Sequence, residues 1–236
     1  MTNNIIDISK NLLSNIEKID DLVDDFFSPI KDYTDTVSDI FTPIKAIHSL
    51  YNANKKIRFK KFLKAYAKSL NTESFSNKES IERLKLYLKN EKNFNFLTEI
   101  IENAINAKSV YGSILLGYYA GQILSNEHKI TFKDIIILDG LKSLNDFELS
   151  CFARIYNVAD VGAKEINIRG YESLKSLTYF CELTIEKLVQ LRILEKSKHE
   201  GMYEWKRIFV STDIAEDIFV YFEATHILKE LLDYEF

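Results

Sequence analysis

Residues 110–124 read VYGSILLGYYAGQIL and are the most apolar segment of this 236-residue chain. The uncharged stretch around them, residues 109–126, contains three glycines and two polar amides. A membrane-spanning helix needs about 20 predominantly apolar residues, so we predict a buried helix of a globular protein here. Gly117 and Gly121 have the GxxxG spacing that lets a second helix approach closely. Outside a membrane, that spacing indicates tight packing in the core.

Helical patterns flank this segment on both sides. Residues 93–108 place four apolar side chains on one helical face: Leu97, Ile101, Ala104 and Ile105. Thr131 followed by Asp134 is typical of a capping box that starts another helix. An apolar content of 46% with only 7 Gly and 2 Pro leaves few turn-forming residues for a sheet-rich fold. We therefore predict a mainly α protein in which residues 55–144 form a central helical domain.

A basic amphipathic helix is predicted at the start of that domain, over residues 55–70 (KKIRFKKFLKAYAKSL). It lies within residues 40–72, which contain no acid, and its bases are candidates for contact with nucleic acid, another anion or lipid. Alternatively, these bases face water or the acidic residues nearer the N-terminus. The aromatic residues Phe59, Phe62 and Tyr66 would suit a lipid interface. The candidate bases are Lys55, Lys56, Arg58, Lys60, Lys61, Lys64 and Lys68.

Three tandem 14-residue units precede the basic helix and start at Asp7, Asp21 and Asp35. Fourteen residues are two heptads, so an apolar seam recurs on one helical face. Pro29 and Pro43 interrupt two units, and proline inside a helix removes a hydrogen bond, so we predict kinked heptad-repeat helices over residues 1–54. The seam predicts an assembly surface. It consists of Leu12, Ile16, Ile19, Val23, Phe26, Ile30, Tyr33, Val37, Ile40, Ile44, Ile47 and Tyr51.

The order of elements changes after Asn145. Helical patterns at residues 146–156, 171–179 and 182–191 precede two strand-like runs, 192–198 and 203–210, and a closing helix that reaches about residue 232. Three helices, a two-stranded ribbon and a closing helix are the order of a winged helix. We therefore predict a winged-helix-like domain over residues 145–236 with a small two-stranded β-ribbon.

The charge of this predicted domain does not favour DNA. Residues 171–211 contain seven bases against six acids, and Glu182 and Glu186 lie on the predicted recognition helix itself. DNA-binding domains usually carry a clear basic stripe, so protein contact is favoured. The bases that could still contact a partner are Lys187, Arg192, Lys196, Lys198, Lys206 and Arg207.

This C-terminal region resembles the winged-helix modules that end many small bacterial regulatory and phage-defence-associated proteins. Residues 42–66 (TPIKAIHSLYNANKKIRFKKFLKAY) resemble a segment of uncharacterised proteins of that kind. The resemblance implies a regulatory or defence-associated role. It transfers no site residue to this chain.

Residue types used in catalysis form no pattern here. The four histidines are scattered, none has zinc-ligand spacing, and no glycine-rich loop follows a strand. Cys151 and Cys181 fall in predicted buried helices, which favours reduced thiols in a cytoplasmic protein. The N-terminus lacks the basic start and apolar run of a signal peptide. We expect no enzyme activity, no cofactor, no metal and no small-molecule substrate.

The sequence therefore favours a non-enzymatic bacterial interaction or assembly protein that acts by binding, as a homo-oligomer or with a protein partner. One alternative is a winged-helix DNA-binding transcriptional regulator. Another is a membrane-surface effector of abortive infection, in which the repeats and the basic helix would lie on a bilayer and the protein would be peripheral to the membrane.

Overall fold

Eight helices and three short strands make up the part of the chain that the computed structural model describes, residues 53–69, 86–87, 90–158, 165–167, 178–196 and 208–234. In chain order they are α1 (Ala53–Ser69), α2 (Glu91–Asn106), α3 (Val110–Ser125), α4 (Phe132–Ser143), α5 (Asp146–Val158), β1 (Glu165–Asn167), α6 (Thr178–Gln190), β2 (Leu194–Lys196), β3 (Ile208–Ser211), α7 (Asp213–Ala224) and α8 (Leu228–Leu232). The predicted mainly α class is confirmed.

Several predictions concern residues outside this part of the chain. The kinked heptad-repeat helices and their entire seam, Leu12 to Tyr51, lie outside the described residues. The same is true of the predicted helix at residues 171–179 except for its last two residues. These remain predictions.

Helix α3, the apolar segment, lies at the centre of the helical layer and packs against α1, α2, α4, α5 and α7. Its glycines permit the closest of these contacts. A Cβ atom built on Gly117 would lie 2.2 Å from the backbone oxygen of Phe62, and one on Gly121 would lie 1.8 Å from the Ser69 Oγ. The prediction of tight core packing at the GxxxG spacing is confirmed, and the partner is the basic helix α1.

Side-chain caps fix where several of these helices begin. The Asn90 side chain accepts hydrogen bonds from the backbone of α2, and Ser109 Oγ accepts one from the Gly112 N–H at the start of α3. The predicted capping box of Thr131 and Asp134 is present at the start of α4. These polar groups satisfy backbone donors that have no partner within the helix.

The small sheet is antiparallel and has the strand order β1-β3-β2. The predicted two-stranded ribbon corresponds to β2 and β3, which pair from Leu194 opposite Ser211 to Lys196 opposite Phe209. The sequence did not predict β1, which pairs with the other edge of β3. Three residues are too few to show the alternation of apolar and polar side chains that identifies a strand.

The closing helix is divided, which corrects the prediction of one helix reaching residue 232. Thr212 caps α7 through a hydrogen bond that its side chain accepts from the Ala215 N–H. The helix ends at Ala224, and His226 has a φ of 62° before α8 begins. Thr225 Oγ1 donates to the Tyr221 carbonyl at 2.6 Å, which takes up one of the last carbonyl groups of α7.

One hydrophobic core runs through both predicted domains, 55–144 and 145–236. Gly140 of α4 faces the Ile193 side chain at the start of the ribbon. Across the same boundary, the Tyr119 ring of α3 is tilted against the Tyr221 ring of α7, with centroids 5.8 Å apart. The described helices on either side of Asn145 therefore stabilise each other through shared apolar burial.

Candidate interaction surfaces

The basic helix α1 has a buried aromatic side and an exposed lysine side. Phe59, Phe62, Leu63 and Tyr66 are all at most 8% exposed. The Phe62 and Tyr66 rings are stacked with centroids 5.9 Å apart, and burial raises the pKa of the Tyr66 phenol. Because these rings belong to the core, this side of α1 packs against protein in the structure and offers no free aromatic face to a bilayer.

The candidate bases of α1 are therefore divided by exposure. Three are exposed, Lys61, Lys64 and Lys68, and Lys55, Arg58 and Lys60 are half-buried. Lys56 also lies on this helix. The three exposed lysines recur at intervals of three and four residues, so they form one stripe along the helix.

A cleft of about 550 Å³ borders this lysine stripe. Helix α1 forms one wall of the cleft, α3 forms the second, and the junction of α7 and α8 forms the third. The ammonium group of Lys68 reaches this junction and donates to the Ala224 carbonyl at 3.5 Å. The lining residues are Lys61, Lys64, Ala65, Lys68, Ile114, Tyr118, Thr225, Ile227 and Glu230. The cleft thus combines a cationic rim with an apolar floor.

The first half of the exposed face of α6 is apolar, whereas its second half carries the exposed Glu186 and Gln190. Tyr179 is 66% exposed, Phe180 43% and Leu183 48%. The Phe180 ring contacts Phe147 of α5 edge-on, with a centroid distance of 5.1 Å, and this contact orients the ring. The sequence did not reveal this face, because α6 also carries apolar residues on its buried side, and apolar residues on both sides do not show which side is exposed. The buried ones are Cys181, Ile185 and Leu188.

The bases predicted for a winged-helix contact are only partly available. Lys187 Nζ donates to Glu148 Oε2 at 2.5 Å and to the Ser143 carbonyl at 2.9 Å, so its charge is neutralised within the protein. The Arg192 guanidinium lies over the Phe132 ring, 5.4 Å from its centroid. Lys196 is exposed on β2. The other three predicted contacts lie outside the described residues: Lys198, Lys206 and Arg207.

A buried polar network centres on Asp134, whose side chain is 5% exposed. It accepts hydrogen bonds from the Tyr119 hydroxyl at 2.5 Å and from the Thr131 N–H and hydroxyl, each at 2.6 Å, and His128 Nε2 lies 3.1 Å away. Burial alone would raise the pKa of Asp134, but these hydrogen bonds and the His128 charge lower it. The network pins the start of α4 to α3.

The two cysteines, Cys151 and Cys181, are buried and have free thiols in the structure. Cys151 of α5 and Cys181 of α6 form a hydrogen bond across the helix interface, which with burial raises the pKa of the Cys181 thiol. Within the described ranges, no group of three or more His, Cys, Asp or Glu side chains could hold a metal ion.

The described elements form a mainly helical protein with a small antiparallel sheet. One of the helices, α6, has exposed apolar residues. The chain matches no protein-family model, and none of the curated proteins or solved structures compared with it is a match. No helix in the described part of the chain combines the length and apolar character needed to cross a membrane.

Proposed function

We propose that this chain is a non-enzymatic interaction or assembly protein of an anti-phage defence system, and that it binds partners through its N-terminal helices and a C-terminal winged helix. The observation that carries the proposal is the exposed apolar face of α6, formed by Tyr179, Phe180 and Leu183. The phage-defence part rests on the resemblance described above.

The order of elements supports the winged-helix part of this proposal. A helix (α5), a strand (β1), the helix α6 and the hairpin β2–β3 follow one another, with β3 between the other two strands. In a DNA-binding winged helix, the helix before the hairpin enters the major groove and needs bases on its outer face. Here the first half of that face is aromatic and aliphatic, its second half carries the exposed Glu186 and Gln190, and Lys187 is paired with Glu148. These features favour a protein partner.

A second copy of the chain is the partner that this face fits best. Two copies related by a twofold axis would cover each other's exposed rings with the same patch. Full burial of a large apolar side chain from water stabilises by about 1.5–3 kcal/mol, and these three, which are 43–66% exposed, would each gain part of that amount on both copies. Aromatic residues are also enriched at the centres of protein interfaces.

Replacing Leu183 with glutamate should therefore shift the full chain from oligomer to monomer, because the interface would then bury an unpaired charge. Light scattering after size-exclusion chromatography measures the mass of each species. Val220→Glu is the matched control, since Val220 is 54% exposed on α7, outside the α6 face. A wild-type monomer at all concentrations, or an oligomer that Leu183→Glu leaves intact, would contradict self-association through α6.

A DNA-binding regulator is the second candidate, favoured by the strand order and by the exposed Lys196 beside Arg192. If it is correct, fluorescence anisotropy should show duplex binding that Lys196→Ala weakens and that falls steeply between about 50 and 200 mM salt. Lys187 is unsuitable for this test because it forms an ion pair with Glu148, and removing it would disturb the fold. The absence of duplex binding at the lower salt concentration would exclude this candidate.

A further inference from the structure

We propose that the cleft between α1, α3 and the α7–α8 junction binds a small phosphate-bearing anion with a planar body, of the nucleotide class. This ligand is distinct from the protein partner proposed for α6. The sequence led us to expect no small-molecule substrate, and a ligand held here would be bound without being transformed.

The lysine stripe provides the cationic part of the site. Lys61, Lys64 and Lys68 span seven residues of α1, a rise of about 10 Å along the helix axis. No carboxylate in the described part of the chain lies within salt-bridge distance of Lys61 or Lys64. One carboxylate group could engage only part of such a stripe, whereas the linked phosphates of a nucleotide present several anionic oxygens along its length. The spacing therefore favours a polyphosphate.

Among the described residues that line the cleft, Glu230 is the one acid. Burial raises the pKa of the nearby Tyr111 phenol, and the Glu230 carboxylate helps to raise it further. Three ammonium groups thus face one carboxylate in the described lining of the cleft. The cleft keeps a net positive charge, and an anionic ligand would complement it.

The floor of the cleft suits the body of the ligand. Ile114, Ala65 and Ile227 contribute apolar surface, and Tyr118 is half-buried. The Tyr118 ring is tilted against Tyr221 with a centroid distance of 5.6 Å, so its position is fixed by packing. Stacking of a nucleobase on an aromatic ring contributes about 1–3 kcal/mol and tolerates every base.

The cleft is also preformed. Gly117 and Gly121 hold α1 directly against α3, and Lys68 contacts the end of α7. Its volume of about 550 Å³ lies within the usual range of about 300–1,000 Å³ for small-molecule sites. Binding would therefore require little ordering of the protein.

Isothermal titration calorimetry of the full chain with ATP, without magnesium, tests the proposal. We expect saturable binding to one site that weakens at least about tenfold in the Lys61→Ala/Lys64→Ala variant. Tyr118→Leu should also weaken ATP binding but leave the binding of inorganic triphosphate unchanged. Lys129→Ala is the control, because Lys129 is an exposed lysine on the loop between α3 and α4.

Three results would overturn the proposal. No heat of binding to the wild-type chain would show that the cleft takes no nucleotide. An equal loss of affinity in Lys129→Ala would show diffuse electrostatic attraction without a site. A short single-stranded oligonucleotide that binds more tightly than ATP and displaces it would show that the stripe contacts nucleic acid.

Discussion

Replacing Gly117 with alanine should lower the free energy of unfolding by about 2 kcal/mol or more. The added methyl group would lie 2.2 Å from the Phe62 oxygen and 2.9 Å from its carbonyl carbon, so the backbones of α1 and α3 must separate. Overpacking of a core costs about 1–3 kcal/mol, and a clash that must separate two backbones belongs at or above the upper end of that range, whereas alanine recovers about 1 kcal/mol of helix propensity. Urea denaturation monitored by circular dichroism measures the difference.

Gly140→Ala is the matched control, since it makes the same substitution in another helix. Its methyl group would meet the end of the flexible Ile193 side chain at 2.6 Å, and that side chain can move without shifting a backbone. We expect a change within about 1 kcal/mol, because the gain in helix propensity offsets part of the repacking cost. Equal losses of unfolding free energy in both variants would contradict a tight backbone contact between α1 and α3.

Replacing Asp134 with asparagine should lower the free energy of unfolding by about 2–3 kcal/mol at neutral pH. The substitution removes the charge that accepts hydrogen bonds from Tyr119 and Thr131, and hydrogen bonds to charged groups contribute about 1.5–3 kcal/mol each. The asparagine amide can no longer accept from all of these donors. Asp139→Asn on the same helix is the control, because Asp139 is 54% exposed and its contact with Lys142 is a surface pair.

The loss of unfolding free energy in Asp134→Asn should also depend on pH, in a defined direction. The folded protein lowers the pKa of this carboxyl group, so its stabilising effect is complete above its unfolded pKa of about 3.9. The effect disappears as the pH falls through the folded pKa. The difference between wild type and Asp134→Asn should thus be constant near neutrality and shrink in acid. A difference that grows in acid would contradict the assigned role.

Local patterns predicted most of the helices because their signals lie within a few residues. The Thr131–Asp134 box, the apolar stripe of α2 and the uncharged run of α3 each report a helix without reference to other parts of the chain. The strand β1 has no such signal, because its three residues become a strand only through pairing with β3. The break before α8 was missed for a similar reason, since it depends on a left-handed His226 that no residue type in the segment requires.

The candidate surfaces were harder to predict than the helices. The sequence identified the lysines of α1 but could not show which of them are exposed or that Ile114 and Tyr118 lie opposite them. It identified Lys187 as a contact residue, whereas the structure places it in an ion pair with Glu148. Contacts across the chain determine these outcomes, and periodicity within one helix carries no information about them.

By itself, the sequence determined that this protein is mainly helical, that α3 is buried and that α1 is basic on one side, because composition and periodicity are local properties. Only the tertiary structure decided that the GxxxG glycines receive α1, that the aromatic residues of α1 are buried in the core, and that α6 presents an apolar face. Each of these depends on which helix packs against which, and burial is a property of the assembled chain.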